Sequence, residues 1–408
     1  MDISVTPAIL SGSVSAPPSK SVAHRLLICA ALSEGQSVIK NIYPSKDILA
    51  TIACLKALGA HIELKDGTAS VTGIEKASAE CVLDCNESGS TLRFLIPVAC
   101  ALGAGAVFTG KGRLPERPIT PYLDELPKHG IRIDYNGTMP FSLGGKLTPG
   151  RYEVRGDISS QFITGLLFGL SLLDGDSELV ITTPLQSKPY VDITIDALDR
   201  FGVSVKCNDN VYYIKGGRHF KPCELEVEGD YSQAAFFEVA NALGCDIDIK
   251  GLNVNSYQGD KKIVEIISDI VYNDSRGMKP FDADVSDIPD LVPILAVLGC
   301  FCEGTSYIRN AARLRIKECD RLHAMAVSLN ACGGKVTEKE DSLIIEGVGS
   351  LKGGEVPDFN DHRIPMAMAI AAVRSESPVI IRGAQSVSKS YPDFWEVYED
   401  IGGIIEVM

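Results

Sequence analysis

Six times along the chain, a strand-like run ends in a small or polar cluster and an Ala- and Leu-rich helix begins. The starts are PSKSVAHRLLICAAL from Pro18, NESGSTLRFLIPVACAL from Asn86, GDISSQFITGLLFGLSL from Gly156, GDYSQAAFFEVANALG from Gly229, SDIPDLVPILAVLG from Ser286 and NDHRIPMAMAIAAV from Asn360. Their spacing of about 60 to 70 residues suits a compact α/β unit and is too long for one turn of a solenoid. Within each unit a second helix follows. In VIKNIYPSKDILATIACLKALGAHIEL (38–64) a strand leads to Ser45 and Asp47. Ile48, Ile52, Leu55 and Leu58 then form one helical stripe, and Gly59 stops it. Second helices are also expected at 121–130, 190–202, 261–270, 319–334 and 394–403. Six units of roughly strand–helix–strand–helix–strand make two sets of three. An α/β chain of two similar domains, divided near residue 226, is expected, in keeping with 408 residues being too many for one ordinary core.

The helix starts open on Ser, Thr, Asp, Asn or Gly, residues that cap a helix or let backbone approach a ligand. Free N–H groups and partial positive charge at such ends favour anions. Capping alone does not account for the cations that accompany them. Lys20, Ser21 and Arg25 lie at the first start, Gly89 and Arg93 at the second, and Ser159, Ser160 and Gln161 at the third. Asp290 opens the fifth, and His362 and Arg363 the sixth. Loops add Arg117 in PERPI, Ser187 and Tyr190 in SKPY, Lys317 to Arg321 in RLRIKECDR, and Lys389 in VSKSYPD. So many cations at anion-favouring ends imply a ligand with several negative charges, because Arg forks carboxylate and phosphate while Lys supplies a mobile point charge.

Composition narrows the classes. Hydrophobic residues make up 45% and charged residues 23%, as in ordinary globular chains. A formal charge of −14 argues against a general nucleic-acid or acidic-membrane partner. The opening MDISVTPAIL has no basic stretch ahead of an apolar run, so no secretory signal is expected, and the longest apolar runs, such as 291–302, are too short to span a bilayer. Twelve cysteines show no regular framework. Cys81 with Cys85, or Cys300 with Cys302, lack accompanying ligands at zinc spacing, and a reduced cytoplasmic compartment fits best. Neither G-x-x-x-x-G-K-[ST] nor G-x-G-x-x-G occurs, nor HExxH, so the anion is expected to be held by protein cations with no metal and no cofactor.

These residues carry a resemblance. PSKSVAHR, ESGSTLRF, RLPERPI, GDISSQF, SKPYVDIT, GDYSQA, IPD, RIKECDR, NDHR and KSYPDF follow one another in the order found in the 5-enolpyruvylshikimate-3-phosphate synthases, members of the enolpyruvyl transferase family. The resemblance implies two domains of three βαβαββ units each, an inside-out α/β barrel pair, with the first strand joining the C-terminal domain. The expected division is 13–226 against 1–12 plus 227–408, with the active site in the cleft between. It also implies two substrates, shikimate 3-phosphate and phosphoenolpyruvate, and a monomer.

The resemblance further implies residue roles. Lys20, Ser21, Arg25, Ser159, Ser160, Gln161, Ser187, Tyr190, Asp290 and Lys317 would meet shikimate 3-phosphate. Lys20, Gly89, Arg117, Gln161, Arg321, Arg363 and Lys389 would meet phosphoenolpyruvate, with the ligand lying directly over the backbone of Gly89. Addition and elimination through a tetrahedral intermediate need a base and an acid. Asp290 would be the base, and Glu318, with Lys20 nearby, the acid. Lys317 and Arg321, four apart, are expected to share one face of a helical turn. Arg313, Arg315 and Asp320 are read as scaffold.

Three positions depart from the family pattern. Glu87 stands where Asn is common, Arg313 where some members carry Asn, and Phe94 where Pro or Leu is more common, so sensitivity to the inhibitor glyphosate is not read from the sequence. The related transferase acting on UDP-N-acetylglucosamine typically carries a Cys in the loop that here reads KGRLPERPI, which has none. A non-catalytic anion binder would be expected to have lost Asp290, Glu318 or the cations, and all are present. A nucleic-acid-end enzyme built from related units is disfavoured by the acidic balance.

Overall fold

The computed structural model describes residues 1–271 and 277–408. The chain forms two compact units, one of Pro18–Glu228 and one of Met1–Pro17 with Gly229–Met408. Helices in the first unit are α1 (Lys20–Ala31), α2 (Lys46–Leu58), α3 (Gly89–Leu102), α4 (Thr120–Glu125), α5 (Ser160–Leu170) and α6 (Lys188–Arg200). Those described in the second are α7 (Tyr231–Ala242), α8 (Lys262–Ile270), α9 (Val292–Cys300), α10 (Arg321–Ala331), α11 (Arg363–Ala372) and α12 (Phe394–Asp400).

One strand order repeats in the unit of residues 18–228. Glu80–Asp84 runs parallel to Gly105–Thr109 with α3 as the crossover. Gly105–Thr109 pairs antiparallel with Phe141–Gly144, which carries Arg132–Asp134 on its far side. Parallel neighbours demand such a crossover, whereas the last two strands need only a tight turn. Arg151–Val154, Ser177–Ile181, Val211–Ile214 and Val205–Asn208 repeat that order. The sheet around Gln36–Lys40 takes its first strand from the far end of the unit, Glu224–Glu226.

The second unit borrows in the same way. Gly354–Pro357 lies parallel to Val379–Arg382, and the next strand is Ile3–Thr6 from the N-terminus, flanked by Ile404–Val407. Ser11–Ser15 pairs in parallel with Asp246–Lys250 over all five residues. That pairing carries the N-terminal segment through to Pro17, so the division falls five residues beyond the expected residue 12 and, at the other end, after Glu228.

The six helices at the repeated starts form the interior. α3, α5, α9 and α11 are buried on nearly every side, as helices apolar all round must be. The second helices bury one stripe. α2 buries Ile48, Ile52, Leu55 and Leu58, and Gly59 ends it at φ 119°. The helix expected over 121–130 is shorter. α4 stops at Glu125 and Leu126–His129 forms a 3₁₀ turn, because Pro127 has no N–H to continue the ladder.

Pro97, inside α3, removes the donor for the Arg93 carbonyl one turn earlier. The buried Tyr122 hydroxyl replaces it, donating to Arg93 O at 2.7 Å with Phe162 O at 3.0 Å. α3 and α5 meet closely here: a Cβ on Gly165 would stand 2.2 Å from Arg93 O. That contact fixes where Arg93 and Gln161 leave their helices.

All twelve cysteines are free thiols. Burial pushes Cys100 and Cys300 up to about 12, which makes them inert packing groups. Among the described residues no helix is long and apolar enough to cross a membrane.

Candidate active site

In the unit of residues 18–228 the expected residues gather around two cations. Arg25, on the buried face of α1, donates from Nε to Thr194 Oγ1 at 2.8 Å, from Nη1 to Ser21 O at 2.7 Å and from Nη2 to Tyr190 O at 2.8 Å. Its guanidinium lies 5.0 Å from the centre of the Phe94 ring. Its partners among the described residues are hydroxyls and carbonyls, with no carboxylate. Burial without a counter-charge lowers its pKa to about 9, which still leaves a cation at neutral pH. Ser21 on α1 and Tyr190 on α6 are thus drawn together around one unneutralised charge. Ser187, just before α6, adopts a left-handed φ of 57° and is buried, and Lys20 Nζ is held by Asp47 Oδ2 at 2.8 Å.

The second group centres on the start of α3. Ser88 caps the helix by accepting from Thr91 N, and Gly89 and Ser90 form its first turn. Gln161 on α5 accepts from Arg93 Nη1 at 2.6 Å and donates to Ser90 Oγ at 3.0 Å. Arg93 also donates to Pro118 O at 3.1 Å, beside Arg117. A Cβ at Gly89 would stand 2.6 Å from Arg117 Nη1, so the guanidinium, rather than open space for a ligand, covers this glycine. Glu87 sits over Gly112 of the same loop, where a Cβ would meet its carboxylate, and Lys111 N donates to Asn86 O at 2.7 Å. Segments 86–89 and 111–117 are therefore clasped together, which gives Glu87 a structural place. Ser159 caps α5 through Gln161 N, and Ser160 is buried as its first residue.

In the second unit Asp290 is the hub. Its Oδ1 accepts from Arg321 Nη1 at 2.8 Å and faces Lys317 Nζ at 3.8 Å; its Oδ2 accepts from Arg363 Nη2 at 3.1 Å. Burial would raise this carboxyl, but Arg363, Lys317 and Arg321 together outweigh it and hold it well below the usual carboxylate range. Burial lowers Lys317 to about 8 against the pull of Asp290. Arg321 is 2% exposed and meets three carboxylates: Asp361 from Nε at 2.7 Å, Asp290 from Nη1, and Glu318 from Nη2 at 2.9 Å. A second, longer bond from Nη2 to Asp361 Oδ1 leaves one of five N–H groups uncommitted among these contacts. Arg363 also binds Ser232 Oγ at 2.9 Å, and Lys389 Nζ donates to Asn360 O at 2.7 Å, at the turn that carries Asp361 and Arg363.

RLRIKECDR is not helical where helical spacing was expected. Ala312–Ile316 is a 3₁₀ turn, Lys317 is extended, and α10 begins only at Arg321, capped by Asp320. Lys317 and Arg321 converge on Asp290 through the loop, not through one helical face. Arg315 is scaffold, bound to Asp320 at 2.8 Å and Glu338 at 2.6 Å, and buried Arg313 donates to Ser286 O. Glu318 is Arg321's ion-pair partner in this arrangement rather than an uncommitted acid. Asp361, fully buried, was not among the expected site residues, nor was Asp47. The signal for Asp361 was a carboxylate two residues ahead of Arg363 at a helix start.

The family described as EPSP synthase (3-phosphoshikimate 1-carboxyvinyltransferase) matches residues 5–398. This chain belongs to the EPSP synthase family. The 3-phosphoshikimate 1-carboxyvinyltransferases of Clostridium kluyveri and Clostridium novyi are 48% and 47% identical to it, each alignment covering 99% of this chain and 98% of the relative. Among solved structures, an EPSP synthase from Acinetobacter baumannii matches with a TM-score of 0.84 at 28% identity, over 100% of this chain and 99% of that one. The enolpyruvyl transferase NikO from Streptomyces tendae shares the fold at a TM-score of 0.81, with 17% identity over 99% of this chain and 98% of its own. The EPSP synthase family thus supplies the frame for cations and carboxylates already seen to be gathered at the helix starts.

Proposed function

We propose that this chain transfers the enolpyruvyl group of phosphoenolpyruvate to the 5-hydroxyl of shikimate 3-phosphate, releasing phosphate, in the pathway to chorismate and the aromatic amino acids. The observation that carries the chemistry is Asp290 bracketed by Arg321, Arg363 and Lys317. Those cations are the ones the two substrates, with two phosphates and two carboxylates, would claim. A bound phosphoenolpyruvate would draw Arg321 and Arg363 from Asp290, and loss of those charges lets the carboxyl rise toward a useful base. Anion binding and base activation are then one exchange.

In the addition, Asp290 takes the 5-hydroxyl proton as that oxygen bonds to the central carbon of phosphoenolpyruvate, and Glu318 with Lys20 supplies a proton to the methylene carbon. In the elimination the methyl carbon returns a proton to the deprotonated Glu318, the bond from carbon to phosphate oxygen breaks, and phosphate leaves with the proton that Asp290 had taken. Lys20, Ser21, Arg25, Ser159, Ser160, Ser187, Tyr190 and Lys317 are assigned to shikimate 3-phosphate, and Gly89, Arg117, Arg321, Arg363 and Lys389 to phosphoenolpyruvate. Gln161 is assigned to both. Arg25 supports its assignment best, being a buried cation whose partners are all neutral. A cytoplasmic monomer is proposed, which sedimentation tests for assembly state.

Phosphate release from the purified protein tests the reading. It should require both phosphoenolpyruvate and shikimate 3-phosphate, yield a product heavier than shikimate 3-phosphate by one enolpyruvyl group, and not accept UDP-N-acetylglucosamine. No release with both substrates present would overturn it.

A further inference from the structure

A line of buried hydrogen bonds joins α1, α2 and α3 beneath the residues assigned to substrate. His24 Nδ1 lies 2.7 Å from Thr51 Oγ1, Thr51 Oγ1 lies 2.7 Å from Thr91 Oγ1, and Thr91 Oγ1 donates to Ser88 Oγ at 2.7 Å. All four side chains are at most 1% exposed.

The direction of the line follows from counting protons. Ser88 Oγ accepts twice, from Thr91 N and from Thr91 Oγ1. The single hydroxyl proton of Thr91 goes to Ser88 or to the more distant Asp47 O at 3.5 Å; in either case Thr51 must donate to Thr91, and His24 must donate from Nδ1 to Thr51. His24 is thereby the neutral Nδ1–H tautomer, with a buried Nε2 that has no hydrogen-bond partner among the described residues. Burial, with Lys20 and Arg25 nearby, holds its pKa well below the usual imidazole value, in agreement.

The line ends at the cap of the helix that presents Gly89 to Arg117 and Ser90 to Gln161. α1 has a separate anchor in the hydrogen bonds of Arg25, whereas the hydroxyl of Ser88 meets Thr91, with the Ser88 backbone held by Cys85 O and Leu92 N. Losing the line should therefore loosen the start of α3 rather than α1. We propose that His24 is a positioning residue which, through Thr51 and Thr91, sets the first turn of α3 for phosphoenolpyruvate. The proposal rests on the enolpyruvyl-transfer reading, whose own test with the parent enzyme is run first.

The experiment is a double-mutant cycle on steady-state rates. His24→Leu and Thr51→Val each remove one link without adding charge. Each should raise the KM for phosphoenolpyruvate about five- to twentyfold, with kcat and the KM for shikimate 3-phosphate changing less than about threefold, the signature of lost binding geometry at one substrate. The double variant should be no worse than the worse single one, because the line is broken once in either case. His24→Asn should restore the parent values within about twofold, since its amide nitrogen, like Nδ1, is two bonds from Cβ and donates. If His24→Leu fails to fold, Thr51→Val with His24→Asn decides alone. The proposal is overturned by an unchanged KM for phosphoenolpyruvate, by equal rises for both substrates, by additive effects, or by His24→Asn failing to restore the parent values.

Discussion

The guanidinium of Arg117 stands where a side chain at Gly89 would have to be, 2.6 Å from the position of a Cβ. What crowds this glycine is the end of another side chain of the site, and its own φ is not in the left-handed region.

Gly89→Ala should therefore fold normally but push Arg117 aside. Losing one well-aimed charged hydrogen bond, worth about 1.5–3 kcal/mol, raises the KM for phosphoenolpyruvate by about ten- to a hundredfold. In an Arg117→Ala background the same glycine change should add little, because the clash is gone. Steady-state kinetics of the two single variants and the double variant check this, and additive losses would refute the clash.

Asp290→Ala and Glu318→Gln should keep the fold and lose turnover, by about 10²- to 10⁴-fold if each moves a proton in the reaction. Asp290→Ala also leaves Arg321, Arg363 and Lys317 facing one another. Inorganic phosphate should then raise its melting temperature more than it raises the parent's. Near-parent turnover in either purified variant would falsify that residue's role.

Lys317, lowered to about 8, sets a pH limit. Below that value the side chain is a cation and attracts an anion; above it the charge is lost, so affinity falls as pH rises. The KM for shikimate 3-phosphate should climb from about pH 8 upward, and Lys317→Arg should move the climb beyond pH 10, since guanidinium stays charged. A parent KM that stays flat to pH 9.5 would remove Lys317 from the binding set.

Arg321 is both scaffold and site. Arg321→Met takes from the fully buried Asp361 its guanidinium partner, leaving only Arg363 N, Cys319 Sγ and His362 beside it, and removing one member of such a pair costs about 3–5 kcal/mol. Asp361 and Asp290 both have lowered folded pKa values, Asp361 because Arg321 and then His362 outweigh its burial. Their contribution to stability is present above the unfolded carboxylate pKa and is lost as pH falls through the lower folded values. Urea unfolding at pH 7 and pH 3 should show Arg321→Met far weaker than the parent at pH 7 and closer to it at pH 3.

The repeat was legible because strand and helix periods, capping residues and a Gly stop are local properties. α2 ends at Gly59 as its stripe predicted, and α4 ends early for an equally local reason, Pro127. Candidate cations were legible too, because bare Lys and Arg cluster at helix starts. Their partners were not. Asp47, Asp361, Thr51 and Thr91 look like ordinary capping or core residues until helices distant in sequence come together.

The sequence alone determined the order of elements, the family and the residue types available for anion chemistry, since each depends on neighbours a few positions apart. Only the tertiary structure decided which strands the N-terminal segment meets: Ile3–Thr6 lies between Val379–Arg382 and Ile404–Val407, and Ser11–Ser15 pairs with Asp246–Lys250. It also decided that Arg321 is shared among three carboxylates, and that the Arg117 guanidinium lies over Gly89. The physical cause is that hydrogen bonds, ion pairs and excluded volume act over a few ångströms in space, whatever the separation along the chain.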